Sequence, residues 1–106
     1  MANTGKLAIG VTAVGVQDIY TFTGGIALAT YSLDLENTTN SDVTVKVHIS
    51  AGATPVPGDR MAYFVIPANG HAELNCKVAS AGEHVILDAS AAGVDYRLSG
   101  VEQVTL

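Results

Sequence analysis

The sequence predicts an all-β protein: a single antiparallel β-sandwich of the jelly-roll or immunoglobulin-like type, with about eight strands. Runs of β-branched and apolar residues are short and recur along the chain, and turn residues separate them. No segment shows the sustained 3.6-residue periodicity of a helix. A chain of 106 residues forms one domain, because it is too short for a second hydrophobic core.

The chain begins with a segment, residues 1–16, that we expect to be a short N-terminal arm or an irregular edge strand. The β-sandwich domain then covers residues 17–106. Residues 7–16 are rich in small and β-branched residues, but Gly10 and Gly15 interrupt them. A glycine inside a strand pattern indicates a bulge or a close approach to the backbone. The segment is also apolar enough to add a strand to a neighbouring molecule.

The clearest strand signals are residues 31–37 and Val43–Ser50, in which apolar and polar side chains alternate. Period-2 alternation predicts strands with one buried side and one side that faces water or a partner. The polar linker at residues 38–42 predicts that the two strands form an antiparallel hairpin.

The register of this hairpin follows from charge. Pairing Leu35 with Val45 brings Asp34 opposite Lys46 on the polar side. The neighbouring register would oppose two carboxylates, which costs up to about 1 kcal/mol. We therefore expect the register that pairs Leu35 with Val45.

Turn signals divide the rest of the chain into further strands. The apolar positions change phase between Leu28 and Tyr31, which predicts a β-bulge near residues 29–30. A loop with two prolines and two glycines covers residues 51–60. The remaining strands are expected at residues 18–22, 61–66, 71–78, 84–89 and 94–102.

Composition and charge exclude several classes of partner. The net charge is −5, and the five Lys and Arg residues are scattered, so we expect no nucleic-acid partner. No apolar run is long enough to cross a bilayer, and the first residues lack the pattern of a signal peptide. Only 14% of the residues are charged, against an average near 25%. Other copies or a larger assembly could readily cover so lightly charged a surface.

Histidines and the single cysteine are the first candidates for chemistry. His48, His71 and His84 lack the compact spacing that brings metal ligands together, so we expect surface histidines rather than a metal site. Cys76 alternates with Leu74 and is expected to pack in the core as a small hydrophobic residue. As the only cysteine, it has no partner for a disulfide within the chain.

Strand carboxylates and tyrosines are the remaining candidates. Asp34, Glu36 and Asp88 could face one another, as a glycosidase pair or a calcium site requires. We expect instead that they form a polar face directed to solvent or a partner. The tyrosines could stack on a sugar, but their strand positions favour the core or an interface. They are Tyr20, Tyr31, Tyr63 and Tyr96. The sequence thus predicts no catalytic residue, no cofactor and no metal.

Several motifs between residues 19 and 102 carry a resemblance to a known family. They are Ile19-Tyr20-Thr21-Phe22, Ser41-Asp42-Val43-Thr44-Val45, Ile66-Pro67-Ala68-Asn69-Gly70, Ala72-Glu73-Leu74, Ala81-Gly82-Glu83, Ala89-Ser90-Ala91-Ala92 and Ser99-Gly100-Val101-Glu102. Together they resemble a family of small virion structural proteins of tailed bacteriophages. The chain differs from the family at Thr23-Gly24-Gly25, where the family has Pro-Ala-Gly-Lys.

The resemblance implies a non-enzymatic virion protein, made in the host cytoplasm and located in the virion. We expect a capsid decoration or cement protein that stabilises the head by contacts with the major capsid protein or another virion protein. A homo-oligomer is expected, and a trimer is the expected form. The alternatives are a tail- or fibre-associated protein, acting as a connector or host-binding knob, and a carbohydrate-binding β-sandwich module.

Overall fold

The computed structural model describes residues 4–104, which form eight strands and no helix. Because no helix is present in this range, none could span a membrane. The strands are β1 (Thr4–Val11), β2 (Gly15–Thr21), β3 (Ile26–Asn37), β4 (Val43–Ser50), β5 (Arg60–Ile66), β6 (His71–Ala79), β7 (His84–Ala89) and β8 (Val94–Val104).

The strands form two four-stranded antiparallel sheets, which confirms the predicted β-sandwich. Sheet I has the order β1-β8-β3-β6 and sheet II has the order β2-β7-β4-β5. The pairs β1 with β8, β2 with β7, β3 with β6 and β4 with β5 show that the second half of the chain folds back along the first. This order is the jelly roll, the first of the two sandwich types that the sequence predicts.

The predicted hairpin between β3 and β4 is wrong. Strand β3 lies between β8 and β6 in sheet I, and β4 lies between β7 and β5 in sheet II. Leu35 therefore does not pair with Val45, and Asp34 is not opposite Lys46. Alternation identifies which side of a strand is buried but not which strand is its neighbour, and a short polar linker also suits a crossing between sheets.

Asn37 fixes this crossing. Its side-chain amide donates to the carbonyl oxygens of Ser41 at 2.7 Å, Ile66 at 2.9 Å and Pro67 at 3.2 Å. Its side-chain oxygen accepts from the amide and the hydroxyl of Thr39, at 2.9 and 2.7 Å. Asn37 is fully buried, and these bonds satisfy its polar atoms while holding the linker against the turn after β5.

The core lies between the sheets and contains the apolar sides of β3 and β4, as predicted. Those buried residues are Tyr31, Leu33, Leu35, Val43, Val45, Val47 and Ile49. Strands β7 and β8 add Leu87 and Leu98 to the core, and neither side chain has exposed surface. Side chains of this size each contribute roughly 1.5–3 kcal/mol when they are fully buried.

The predicted bulge in β3 exists but lies nearer the start of the strand. The register with β8 shifts between Ile26 and Leu28, and Leu28 is partly exposed. A second shift, against β6, lies between Tyr31 and Leu33. Only the first changes the burial phase of β3, because the second inserts its extra residue into β6.

The first sixteen residues contribute to both sheets within the described range. Strand β1 is an edge strand that pairs with β8 of the same chain and has a register shift between Lys6 and Ala8. Strand β2 starts at Gly15, so the boundary expected between residues 16 and 17 falls inside it. Gly10 allows a close approach, since a Cβ there would lie 2.6 Å from the Tyr96 hydroxyl.

Candidate functional site

The polar side of β3 forms the centre of a charged surface on the outer face of sheet I. We call this surface the acidic patch. It consists of Asp34 and Glu36 of β3, His71 and Glu73 of β6, and Asp95 and Arg97 of β8.

Cross-strand register decides which charges of the acidic patch meet. Asp34 lies opposite Arg97 on one side and Glu73 on the other. Glu36 lies opposite Asp95 and His71. The two like-charge pairs, Asp34 with Glu73 and Glu36 with Asp95, are each unfavourable by some tenths of a kcal/mol. The patch therefore has a strongly negative surface and lowers the stability of sheet I slightly.

A shallow cavity of about 330 Å³ lies at the acidic patch. Asn69 and Gly70 of the turn before β6 form part of its wall. His71 lies 4.0 Å from Glu73, measured between Nε2 and Oε1, at two exposed side chains. Exposed pairs of this kind contribute little to stability.

Metal ligands do not converge in the described part of the chain. No group of three or more His, Cys, Asp or Glu side chains between residues 4 and 104 could hold a metal ion. His71 is on sheet I, whereas His48 and His84 are on sheet II. Asp88 is also on sheet II and does not meet Asp34 or Glu36.

His84 has a polar environment that the sequence did not predict. Its Nδ1 lies 2.7 Å from Oδ2 of Asp18 and 2.9 Å from the hydroxyl of Thr21. A nucleophile–base–carboxylate triad uses both ring nitrogens, one for the nucleophile and one for the carboxylate. Here both partners contact the same nitrogen, so the arrangement ties β2 to β7 and does not match a triad.

Cys76 is exposed, and the prediction that it packs in the core is wrong. Tyr31 is opposite Lys77 while Leu33 is opposite Leu74, so β6 has one more residue than β3 between these pairs. Cys76 occupies this bulge with a φ of 55°, and its amide donates to the Ser32 hydroxyl at 3.2 Å. The extra residue reverses the alternation, which turns the following residues to the other face.

Glu102 is a buried carboxylate with a structural role that sequence reasoning missed. Its side chain accepts from the amide of Thr23 at 2.7 Å and from the Thr23 hydroxyl at 2.9 Å. These bonds fix the turn after β2 to β8. An acidic residue at a position that alternates with apolar ones was the only available signal.

Three of the four tyrosines lie in or against the core, which is one of the two locations that their strand positions favour. Tyr31 and Tyr96 belong to the core, and Tyr20 packs against it. Burial raises the pKa of Tyr31 to about 12, with a smaller effect from the negative charge of Glu83. Tyr63 is 53% exposed on β5, and its ring centroid lies 5.3 Å from the Arg60 guanidinium carbon.

The outer face of sheet II carries the other large cavity, of about 550 Å³, between the strands and the loop after β4. Lys46, Arg60 and Asp88 line it together with residues 55–58. In the loop, a hydrogen bond from the Val56 amide lowers the pKa of Asp59 below its ordinary value, and a hydrogen bond with the Ser50 side chain adds a smaller effect in the same direction. Lys46 also lies over the exposed ring of Tyr63, with its Nζ 6.0 Å from the ring centroid.

Exposed apolar side chains are concentrated on the two lateral edges of the sandwich. The first apolar edge consists of Ile9, Val11, Val14 and Val16, on β1, β2 and their connection. The second apolar edge consists of Met61, Tyr63 and Val65 on β5. Together they account for seven of the eleven large hydrophobic side chains that are exposed in the described chain.

Comparison of the chain with protein-family models, with curated proteins and with solved structures gave no match.

Proposed function

We propose that the protein is a non-enzymatic structural component of a tailed-phage virion, a capsid decoration or cement protein that stabilises the head. The resemblance of the sequence motifs is the ground for the virion. The observation that carries an interface role is the concentration of exposed apolar side chains on the two apolar edges. On β5 the exposed apolar side chains follow one another along the outer face of sheet II, and such contiguous apolar surface is typical of sites that another molecule covers.

The mechanism is burial of surface at junctions between capsid subunits. The major capsid protein, or another virion protein, would cover one or both apolar edges and the adjoining sheet face. Standard protein interfaces bury about 800 Å² on each partner. Repeating such a contact at every junction of a shell multiplies a modest individual affinity, because the linked sites act together.

Purified particles provide the test. We expect a band of this chain at near-stoichiometric ratio to the major capsid protein, and a lower melting temperature for heads prepared without it. Adding the purified protein back should restore the melting temperature. Heads that lack the protein, or heads whose melting is the same with and without it, would contradict the proposal.

A tail- or fibre-associated role is the second candidate, and the acidic patch favours it. A polar cavity of about 330 Å³ on a rigid sheet face suits a host-binding knob more than a cement. Copy number separates the two roles, because a tail protein is present in few copies and a cement protein in hundreds.

A carbohydrate-binding module is less well supported. Among the four tyrosines only Tyr63 has an exposed ring on which a sugar could stack. The described residues also offer no group of ligands for calcium. Glycan-array binding that disappears with a chelator would favour this function over the virion role.

A further inference from the structure

The two apolar edges lie on opposite sides of the sandwich. Strands β1 and β2 are the first strands of their sheets and are neighbours, whereas β5 and β6 are the last strands and are also neighbours. Strands β2 and β5 are thus the two ends of sheet II, and each has one side that no described strand occupies. The seven apolar side chains at these edges are between 45% and 71% exposed.

On the outer face of sheet II, the charges beside the two apolar edges have opposite signs, whereas Ile9 and Val11 of the first edge lie on the outer face of sheet I, opposite Arg97 and Asp95. One cross-strand row of sheet II runs from Val16 through Asp88 and Lys46 to Tyr63. Asp88 therefore lies next to the first apolar edge, and Asp18 lies two residues along β2 from Val16. Lys46 lies next to the second apolar edge, where Arg60 also contacts the ring of Tyr63.

We propose that the first apolar edge of one copy binds the second apolar edge of the next copy. This contact buries apolar side chains of both edges and brings Asp88 and Asp18 of one copy towards Lys46 and Arg60 of the other. Apolar contact supplies the affinity, and the opposite charges select the head-to-tail orientation. The inference specifies the contact that would form the homo-oligomer expected from the sequence, and its role in the virion rests on the proposed function.

Symmetric pairing of like edges is disfavoured by the same charges. Two second edges in contact would bring Lys46 and Arg60 of both copies together, and two first edges would bring the carboxylates together. A head-to-tail contact between different surfaces produces a ring when its rotation closes. Closure after three copies gives the trimer expected from the sequence.

Two variants separate these possibilities. Val16→Lys places a cation on the first edge, where it meets Lys46 and Arg60 of the neighbour. Tyr63→Thr combined with Val65→Thr removes apolar area from the second edge while keeping residues that suit a strand. Val78→Lys is the matched control, because Val78 is 62% exposed but lies on β6, outside both edges.

Light scattering after size-exclusion chromatography gives the molar mass. We expect about three chain masses for the wild type and the control, and one chain mass for each edge variant alone. An equimolar mixture of the two edge variants should form a dimer of two chain masses, because one intact junction remains between them. This rescue also shows that both variants are folded.

Three results would overturn the inference: a monomeric wild type, a mixture that stays monomeric, or an edge variant that dimerises by itself through a symmetric contact. The proposed function can fail separately. If the chain is absent from heads but forms the expected ring, only the virion role fails. If heads contain it but the free protein is monomeric, another virion protein covers the apolar edges and the inference fails.

Discussion

Apolar side chains occur in two regions of this sandwich, and their environments differ. Between the sheets, residues such as Leu33 and Val45 are fully buried and contact neighbours on all sides. On the lateral edges, residues such as Val16 and Tyr63 are more than half exposed beside charged groups. The same hydrophobic chemistry therefore has two expected consequences: core residues determine whether the chain folds, and edge residues determine what it associates with.

Truncation in the core should have the largest effect on stability. Replacing Leu33 with Ala removes buried methyl groups and leaves a cavity, which typically costs about 2–5 kcal/mol. Replacing Val78 with Ala, on the exposed side of β6, should change the free energy of unfolding by less than about 0.5 kcal/mol. Urea unfolding followed by circular dichroism measures both. Equal losses would show that the core and surface assignments are wrong.

The buried crossing at Asn37 should be the next most sensitive position. Asn37→Ala leaves the carbonyl groups of Ser41, Ile66 and Pro67 without this donor, and we expect a loss of about 2–4 kcal/mol. The control is Asn75→Ala, which alters an exposed amide in β6. If urea unfolding shows the same stability for the two variants, the hydrogen bonds of Asn37 do not hold the crossing together.

Tyr31 should make the core sensitive to alkali. Its pKa is raised to about 12 in the folded protein, from an ordinary value of 10.0, so the folded state holds the proton more tightly. This contribution is complete below pH 10 and is lost as the pH rises from 10 towards 12. The difference in pKa corresponds to roughly 2–3 kcal/mol.

Tyr31→Phe should remove this alkaline loss. It should leave stability at neutral pH unchanged or slightly higher, because the Tyr31 hydroxyl has no hydrogen-bond partner among the described residues. Urea unfolding at about pH 8 and about pH 11, on either side of the ordinary tyrosine pKa, compares the two proteins. An identical pH dependence for both would contradict the assignment.

Glu102 should give the smallest of these stability effects. Glu102→Gln keeps the size of the side chain but removes the charge that strengthens its bonds to Thr23, and we expect a loss of about 1–2 kcal/mol. Gln103→Glu, at the neighbouring exposed position, provides a control. A Glu102→Gln variant as stable as the wild type would show that the buried charge contributes nothing there.

How well the sequence predicted each region depended on the regularity of the strands. In β3 and β4 unbroken alternation identified the buried apolar residues from Tyr31 to Val47, but not the buried Asn37. In β6 one extra residue at Cys76 reversed the faces, and nothing in the local sequence marks that position. Strand pairing was also beyond alternation, since the two apolar sides meet across the sandwich and not within one sheet.

The surface was predictable in composition but not in arrangement. The low charge content indicated a surface that another molecule could cover. The opposite placement of the two apolar edges, however, depends on the jelly-roll order, which sets β2 and β5 at the two ends of sheet II. The acidic patch likewise needs β6 and β8 on either side of β3, and it could not be assembled from β3 and β4.

The contrast between core and edges is tested most directly by the molar mass of the Val16→Lys variant, taken on a sample whose unfolding by urea is also followed. We expect a protein of one chain mass that still unfolds in a single cooperative transition in urea. A Val16→Lys protein that keeps the wild-type mass, or one that is monomeric only because it has lost its fold, would contradict the account.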